Sequence, residues 1–350
     1  MTNIDRSAID VAIALLCLVL VALVAVLYVL CRKKFAAVDP AAGEGKASTS
    51  GPILPAAHFH QLSDMETATA GFHGSRVVGC GRLGTVYKAE EADGGRGYSV
   101  KRIHHHLVLG NPGMSFSSRM KSLSYACHHP NVVPVLGFSE APGERLIISE
   151  FVGETSCSLE HYLKQGSAVL GWAARLRIAT GAARGIEHLH DASVPGVVHG
   201  CVKPSNILVD AGLCSRVCDY GLSFLMEAVD RAREMEGYVD WEGGGACKEN
   251  DVYAFGVVLL ELLSGRRCNG GRLADWALAL MREDRTGEVL DARVAAPRDV
   301  RSLLRMMKVA AACVGNGRKT RPAIAQVAAI LSSLEAQPIS AQSPDEVSNS

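Results

Sequence analysis

Residues 196–210, GVVHGCVKPSNILVD, decide the fold of this chain. They hold a histidine, a cysteine two residues later, a Lys-Pro pair and an asparagine that leads into an apolar run. A glycine-rich segment, VGCGRLGTV at residues 78–86, lies far upstream, and CDYG follows at residues 218–221. The order of these three motifs predicts the architecture, and their residue types predict the chemistry.

The glycine-rich segment is suited to phosphate binding. Glycines let a hairpin lie close over phosphates, with backbone N–H groups facing them. Three glycines alone often form only a turn, and an exposed lysine is the alternative for Lys101 in the following YSVK. The two features together favour a phosphate-binding loop. Its residues are Gly79, Gly81, Gly84 and Val86.

Composition excludes several classes of protein. The formal net charge is zero, so no overall field favours nucleic acid, and no nucleic-acid partner is expected. The eleven cysteines are scattered and form no Cys-x-x-Cys pair, which favours neither a disulfide framework nor a zinc site. A reducing compartment is therefore expected for the main domain.

Strand patterns precede helix patterns along the chain. Short β-branched or apolar runs predict strands within residues 76–89, 98–103 and 146–151. Helical spacing of apolar residues predicts helices over 172–190, 252–263, 273–281 and 300–314. A small β-rich lobe followed by a larger helical lobe is an α+β fold.

The motifs resemble those of protein kinases, and more narrowly those of the plant receptor-like kinase family. Residues 196–210 are similar to the catalytic loop H-R-D-L-x-x-x-N, and CDYG to the D-F-G motif. The segments FHQL, ATAGF, LGWAARLRIATGAARGIEHLH and RPAIAQVAAIL also match the family. The resemblance covers about residues 59–334 and implies a bilobal protein-kinase-like fold.

The resemblance implies a pocket for ATP and Mg²⁺. Lys101 would hold the α- and β-phosphates, while Asn206 and Asp219 would bind metal. A collapsed cleft, filled in part by Tyr220, is the alternative. Ser149 would be a small gatekeeper that opens a back pocket. The residues expected to bind the nucleotide are Gly79, Gly81, Gly84, Val86, Ser99, Lys101, Glu150, Val152 and Leu208.

The catalytic loop, with His199, Gly200, Cys201 and Lys203, is degenerate. Cys201 stands where the resemblance requires the Asp that accepts the substrate's hydroxyl proton. A thiol is a weak acceptor, and loss of a general base costs ~10²–10⁴ in rate. Gly200 replaces the Arg that receives the activation-loop phosphate. No catalytic residue of this loop is therefore intact.

A second departure concerns the partner of Lys101. In kinases a Glu of the helix called C pairs with this lysine. Spacing gives Arg119 or Met120 at that position, and no Asp or Glu occurs between Asp93 and Glu140. Lys101 therefore lacks its usual partner unless a carboxylate comes from elsewhere in the fold.

The activation segment, residues 222–241, departs as well. Its only hydroxyl-bearing residues are Ser223 and Tyr238, so switching by loop phosphorylation is not expected. Trp241 replaces a proline and a run of glycines follows, which predicts a remodelled substrate platform.

Three structural residues are expected to remain in the helical lobe. Glu242 is predicted to pair with Arg321, and Asp251 to brace the catalytic loop from a buried helix.

Residues 11–31 form an unbroken apolar run, long enough for a helix that crosses a hydrocarbon core of ~30 Å. Arg32, Lys33 and Lys34 follow, so the kinase-like part is predicted to be cytoplasmic, at the plasma membrane. A cleaved signal peptide is the alternative, but the start is not basic and the run is long. The predicted segments are 1–10 extracellular, 11–31 transmembrane, 32–58 juxtamembrane linker, 59–336 kinase-like (lobes 59–152 and 153–336) and 337–350 disordered tail.

The sequence therefore predicts a membrane-anchored pseudokinase. It would act as a scaffold or allosteric partner of another membrane receptor or active kinase, with ATP binding retained. The alternative is a weakly active or unconventional serine/threonine kinase, because phosphoryl transfer depends mostly on positioning and charge stabilisation.

Overall fold

The computed structural model describes Leu16 and residues 57–337, apart from gaps at 91–96, 111–114, 127, 165–168, 241–244, 269, 271, 298 and 316. Several predictions concern residues outside this description: those for 1–10, for 11–31 apart from Leu16, for most of the linker and for 338–350. Within the described residues, no helix combines the length and the apolar character that a bilayer crossing needs.

A six-stranded sheet forms the first lobe. Its strands are β1 His58–Phe59, β2 Val77–Cys80, β3 Gly84–Ala89, β4 Tyr98–Ile103, β5 Val135–Ala141 and β6 Glu144–Glu150, in the order β1-β5-β6-β4-β3-β2. The β1–β5 pair is parallel and the others are antiparallel. The lobe also contains the helices α1 Leu62–Ala68, α2 His105–Leu109 and α3 Phe116–Ser124.

Alternation along β4 gives the sheet two different faces. Val100 is fully buried in a small apolar cluster with Met65 of α1 and Ile148 of β6. Lys101, the next residue, lines the cleft between the lobes. The predicted strand over 76–89 is a hairpin of β2 and β3, because the glycine-rich turn separates its two halves.

Helices dominate the second lobe. They are α4 Leu159–Leu163, α5 Trp172–Glu187, α6 Ala228–Glu234, α7 Lys248–Ser264, α8 Arg272–Arg282, α9 Arg301–Gly315 and α10 Ile324–Glu335. A small antiparallel sheet of β7 Cys157–Ser158, β8 Ile207–Val209 and β9 Ser215–Val217 carries the loops that end at the cleft. Helix α7 is buried from Asp251 to Ser264, because it is apolar on almost every face.

The α+β prediction with two lobes is confirmed, and the four predicted helices correspond to α5, α7, α8 and α9. The helical pattern predicted to end at residue 190 continues after α5 as a π-helical turn, His188–Ala192. Two residues assigned to the linker lie in the first lobe: Ala57 is buried, and His58 pairs with Gly137.

Candidate nucleotide-binding cleft

A cleft of about 590 Å³ lies between the two lobes, a volume within the range of small-molecule sites. His199 and Gly200 do not line it, because their backbones are held in the helical lobe. Thirteen residues singled out from the sequence line it together: Gly79, Gly81, Gly84, Val86, Ser99, Lys101, Glu150, Val152, Cys201, Lys203, Asn206, Leu208 and Asp219.

The glycines of the loop differ in whether the fold requires them. A Cβ at Gly84 would overlap the carbonyl oxygen of Arg102, so the pairing of β3 with β4 requires a glycine there. A Cβ at Gly79 or Gly81 would meet no atom within 4 Å. The fold does not require glycine at these two positions, and their bare backbone leaves room for a ligand beneath the loop.

Lys101 finds its anionic partner in Asp219. Its ammonium group donates a hydrogen bond to the carboxylate of Asp219, and the two side chains are 15% and 19% exposed. Burial lowers the pKa of Lys101, but the neighbouring Asp219 carboxylate outweighs it, so the net pKa is raised and the lysine is charged. Asp219 has a φ of 60°, a left-handed conformation of the kind found at functional sites.

Helix α3 supplies no carboxylate to this pair. Met120 is fully buried in the main apolar core. Arg119 lies on the other side of the helix, with its guanidinium 5.4 Å from the ring centroid of Phe224 in the activation segment. The sequence prediction that Lys101 lacks a helix-C Glu therefore holds, and the substitute partner is the aspartate of the CDYG motif.

Cys201 is a buried thiol, 3% exposed. Burial raises its pKa to about 12, although the nearby Lys203 acts in the opposite direction. The thiol is therefore neutral at physiological pH, and a neutral thiol neither accepts a proton from a hydroxyl nor acts as a strong nucleophile. Cys201 contributes its carbonyl instead, which accepts a hydrogen bond of 2.9 Å from Asn206 Nδ2.

Asp251 braces this loop from α7, as predicted. Its carboxylate accepts hydrogen bonds from the backbone N–H groups of His199 (2.7 Å) and Gly200 (2.8 Å), and lies 2.8 Å from His190 Nε2. Gly200 has a φ of 75°, and a Cβ there would lie 3.1 Å from Cβ of Ser223. The glycine at the lost arginine position thus fits a conformation that an L side chain rarely adopts.

The metal-ligand types match Mg²⁺, which is commonly held by one or two carboxylates together with phosphate oxygens. Because Asn206 uses its side-chain nitrogen on Cys201, its side-chain oxygen remains for a cation. Asp219 binds Lys101 through one carboxylate oxygen and has a second. The residues present therefore fit a nucleotide-bound Mg²⁺.

Tyr220 does not fill the cleft. It is buried, and its hydroxyl donates a 3.1 Å hydrogen bond to the carbonyl of Val133. Tyr220 and Ser149 both line the cleft, which keeps a volume of about 590 Å³. Glu150 pairs its carboxylate with Arg216 at 3.1 Å, so it would meet a nucleotide through its backbone groups.

Arg321 has a buried acidic partner in Asp240, whose carboxylate lies 2.5 Å from its guanidinium. The pair predicted with Glu242 stays a prediction, because Glu242 lies outside the described residues. The side chains of Arg321 and Asp240 are 2% and 0% exposed, and Arg318 lies 3.4 Å from the same carboxylate. Asp240 therefore anchors the end of the activation segment.

Sequence reasoning also missed Glu234, at the end of α6. Its carboxylate accepts a hydrogen bond from Lys203 and lies 2.9 Å from Arg82 Nε. No motif marks this residue, because its partners are distant in the sequence and meet only in the folded chain.

A β-rich lobe, a helical lobe and a cleft roofed by a glycine loop with a lysine beneath it define the protein kinase fold. Residues 72–328 match the protein kinase domain family, and the chain belongs to that family. Its relatives are plant receptor-like kinases.

Three relatives illustrate the similarity. The serine/threonine-protein kinase-like protein CCR2 of Arabidopsis thaliana is 31% identical over 84% of this chain and 36% of its own length. The leucine-rich repeat receptor protein kinase MSL1 of Oryza sativa subsp. japonica is 37% identical over 79% and 21%, respectively. The receptor-like protein kinase BRI1-like 3 of Arabidopsis thaliana is 34% identical over 74% and 24%. The chain thus spans a fifth to a third of these relatives.

A solved structure is also similar. It is that of the pseudokinase domain of BIR2, described as an immune regulator of the RLK/Pelle family. The TM-score is 0.64 with 29% sequence identity, and the match covers 78% of this chain and 85% of that one.

Proposed function

We propose that this chain is a membrane-anchored receptor-like protein kinase homologue that is catalytically inactive. The observation that carries the proposal is the buried, neutral thiol of Cys201 at the position of the family's catalytic base. A substrate hydroxyl in this cleft would meet no proton acceptor from the catalytic loop. The pairing of Lys101 with Asp219, in place of a helix-C Glu, supports the same conclusion.

Its role is that of a scaffold or allosteric partner. The domain docks on another membrane receptor or an active kinase at the cytoplasmic face of the plasma membrane and changes that partner's state by contact. The family membership and the likeness to a pseudokinase domain support this assignment.

The cleft retains ATP and Mg²⁺ binding in this proposal. Lys101 and the glycine loop hold the phosphates, Asn206 and Asp219 hold the metal, and backbone groups of Glu150 and Val152 meet the adenine. Bound nucleotide would bridge the two lobes and favour one arrangement of the docking surface. The open volume of the cleft and the free space under Gly79 and Gly81 support it.

A weakly active serine/threonine kinase is the second candidate. It is favoured by Lys101, Asn206 and Asp219 still lining one cleft, since phosphoryl transfer depends largely on positioning and charge.

The deciding experiment is phosphate incorporation from γ-labelled ATP with Mg²⁺, using the full-length chain purified in detergent. Autophosphorylation and a generic protein acceptor are both measured, with Asp219→Asn as the control. We expect no incorporation above the control, together with a thermal shift on addition of millimolar Mg-ATP. Incorporation that disappears in Asp219→Asn would overturn the inactive assignment in favour of the weak kinase.

A further inference from the structure

One carboxylate connects the roof of the cleft to its floor. Glu234, the last residue of α6, accepts a hydrogen bond from Lys203 of the catalytic loop. The other oxygen of this carboxylate lies 2.9 Å from Arg82 Nε, at the turn between β2 and β3. Glu234 is thus held by two cations, one from each lobe.

Within this contact, Glu234 and Lys203 are largely buried, whereas Arg82 is exposed. The side chains of Glu234 and Lys203 are 13% and 16% exposed, whereas Arg82 is 51% exposed. An ion pair with little solvent is screened less by water and salt than a surface pair. The Lys203–Glu234 contact therefore dominates, and the Arg82 contact is the weaker of the two.

The contact lies at the end of the cleft where phosphates are expected. Glu234, Lys203 and Asp219 all line this cleft, below the tip of the glycine loop. A lysine or arginine that binds a phosphate binds a carboxylate through the same charge-assisted hydrogen bonds. An internal carboxylate on these cations therefore competes with the terminal phosphates of a ligand.

The pairing of the charges at this end of the cleft indicates that Glu234 weakens the binding of a triphosphate. Arg82, Lys101 and Lys203 supply the positive charges, and Asp219 and Glu234 the negative ones. Each cation already has a carboxylate partner, so a triphosphate must displace Glu234 to reach Lys203. Adenosine carries no phosphate, so it does not compete with Glu234 for these cations.

We propose that Glu234 is an internal anion that occupies the terminal-phosphate position and sets the ligand preference of the cleft. With the contact closed, the cleft takes a nucleoside or a short nucleotide ahead of a nucleoside triphosphate. Withdrawal of α6, for instance by a partner that binds the activation segment, frees Lys203 and Arg82 and admits the triphosphate. This inference rests on the proposed nucleotide binding.

The test is calorimetric titration of full-length protein in detergent with adenosine, ADP and ATP. Wild type is compared with Glu234→Gln and with Glu227→Gln, a matched change at an exposed position just before α6. We expect Glu234→Gln to raise ATP affinity about tenfold or more, while adenosine affinity changes less than about twofold. Glu227→Gln leaves both affinities unchanged.

Equal ATP affinity in wild type and Glu234→Gln would overturn the proposal. So would phosphate incorporation by the wild type that Glu234→Gln abolishes, because the carboxylate would then be a catalytic group.

A readout without ligand separates this inference from the proposed function. Hydrogen exchange of the ligand-free protein is measured by mass spectrometry over the glycine loop and α6. If Glu234 connects them, Glu234→Gln accelerates exchange in both segments, and Glu227→Gln in neither. If Glu234→Gln leaves the exchange rates unchanged, the Glu234 contact is overturned. If the exchange effect is present but neither wild type nor variant binds any nucleotide, only the nucleotide part of the proposed function is overturned.

Discussion

The charged groups of the helical lobe and those of the cleft have different kinds of partner. In the helical lobe, Asp251 holds the catalytic loop and Asp240 holds Arg321, both as buried contacts between elements that the fold requires. In the cleft, Lys101 and Lys203 are paired with acidic residues that lie on the activation segment or at its start. The helical lobe holds buried structural pairs, while in the cleft Cys201 stands at the position of the family's catalytic Asp and Lys101 pairs with Asp219.

The two regions differ in how strongly the stability of the fold constrains their charged pairs. A buried ion pair that loses one partner leaves an uncompensated charge and destabilises the fold, whatever the protein does. A pair that lines the cleft is less completely buried, so water compensates part of the charge that a substitution leaves.

The largest effect is expected from Asp240→Asn. The substitution leaves the buried guanidinium of Arg321 without its anion, so the free energy of unfolding should fall by about 3–5 kcal/mol. Chemical denaturation of the two proteins measures it. Asp299→Asn, in the exposed pair with Arg301, is the matched control and should leave the free energy of unfolding nearly unchanged. Equal losses in both variants would contradict the assignment of Asp240 as the anchor.

A pH-dependent effect is expected at Glu261 of α7. Its carboxylate accepts hydrogen bonds from the Tyr238 hydroxyl (2.9 Å) and the Cys268 N–H (2.7 Å), with Arg267 and Glu160 nearby. Burial is the main reason that the pKa of Glu261 rises from 4.5 to about 7, although the hydrogen bond from Cys268 opposes it.

A raised carboxyl pKa contributes stability that is full below pH 4.5 and is lost as the pH rises through about 7. The loss amounts to roughly 3 kcal/mol. Glu261→Gln should remove this part of the pH dependence and gain stability relative to wild type between pH 5 and 8. Denaturation curves across that range test it, with the exposed Glu288→Gln as control. A wild-type profile that Glu261→Gln leaves unchanged would rule out the titration of this group.

The smallest effect on stability is expected from Asp219→Asn. Lys101 and Asp219 line the cleft and are 15% and 19% exposed, so water can reach the lysine in part after the substitution. The free energy of unfolding should therefore fall by less than in Asp240→Asn, whose pair is 2% and 0% exposed. The thermal shift with Mg-ATP should nevertheless disappear, since the proposed metal ligand is lost. A loss of stability as large as that of Asp240→Asn would remove the distinction between the two regions.

Local patterns predicted the elements well. Helices α7 and α9 follow from apolar spacing, and the β2–β3 hairpin from a glycine cluster between β-branched residues, because both signals depend on neighbours in the chain. The missing helix-C Glu was predictable too, since the whole interval from residue 94 to 139 contains no acidic residue. The kinase-like domain was predicted to start at residue 59, whereas β1 begins at His58, because a two-residue strand carries little periodic signal.

The partners of the charged groups were not predictable in the same way. The contact of Asp240 with Arg321 has no signal in the sequence, since the two residues are 81 positions apart and meet only in the folded chain. Glu234 lies in a charged stretch that resembles a solvated helix in sequence.

The amino-acid sequence alone predicted the kinase fold, the glycine loop, the cysteine at the position of the family's catalytic Asp and the absence of a carboxylate on α3. These are statements about residue type and short-range order. Only the tertiary structure decided that Asp219 pairs with Lys101, that Asp240 anchors Arg321 and that Glu234 joins Lys203 to Arg82. The physical reason is that a charge takes whichever opposite charge the folded backbone brings within a few ångströms, and that proximity is set by the packing of distant segments.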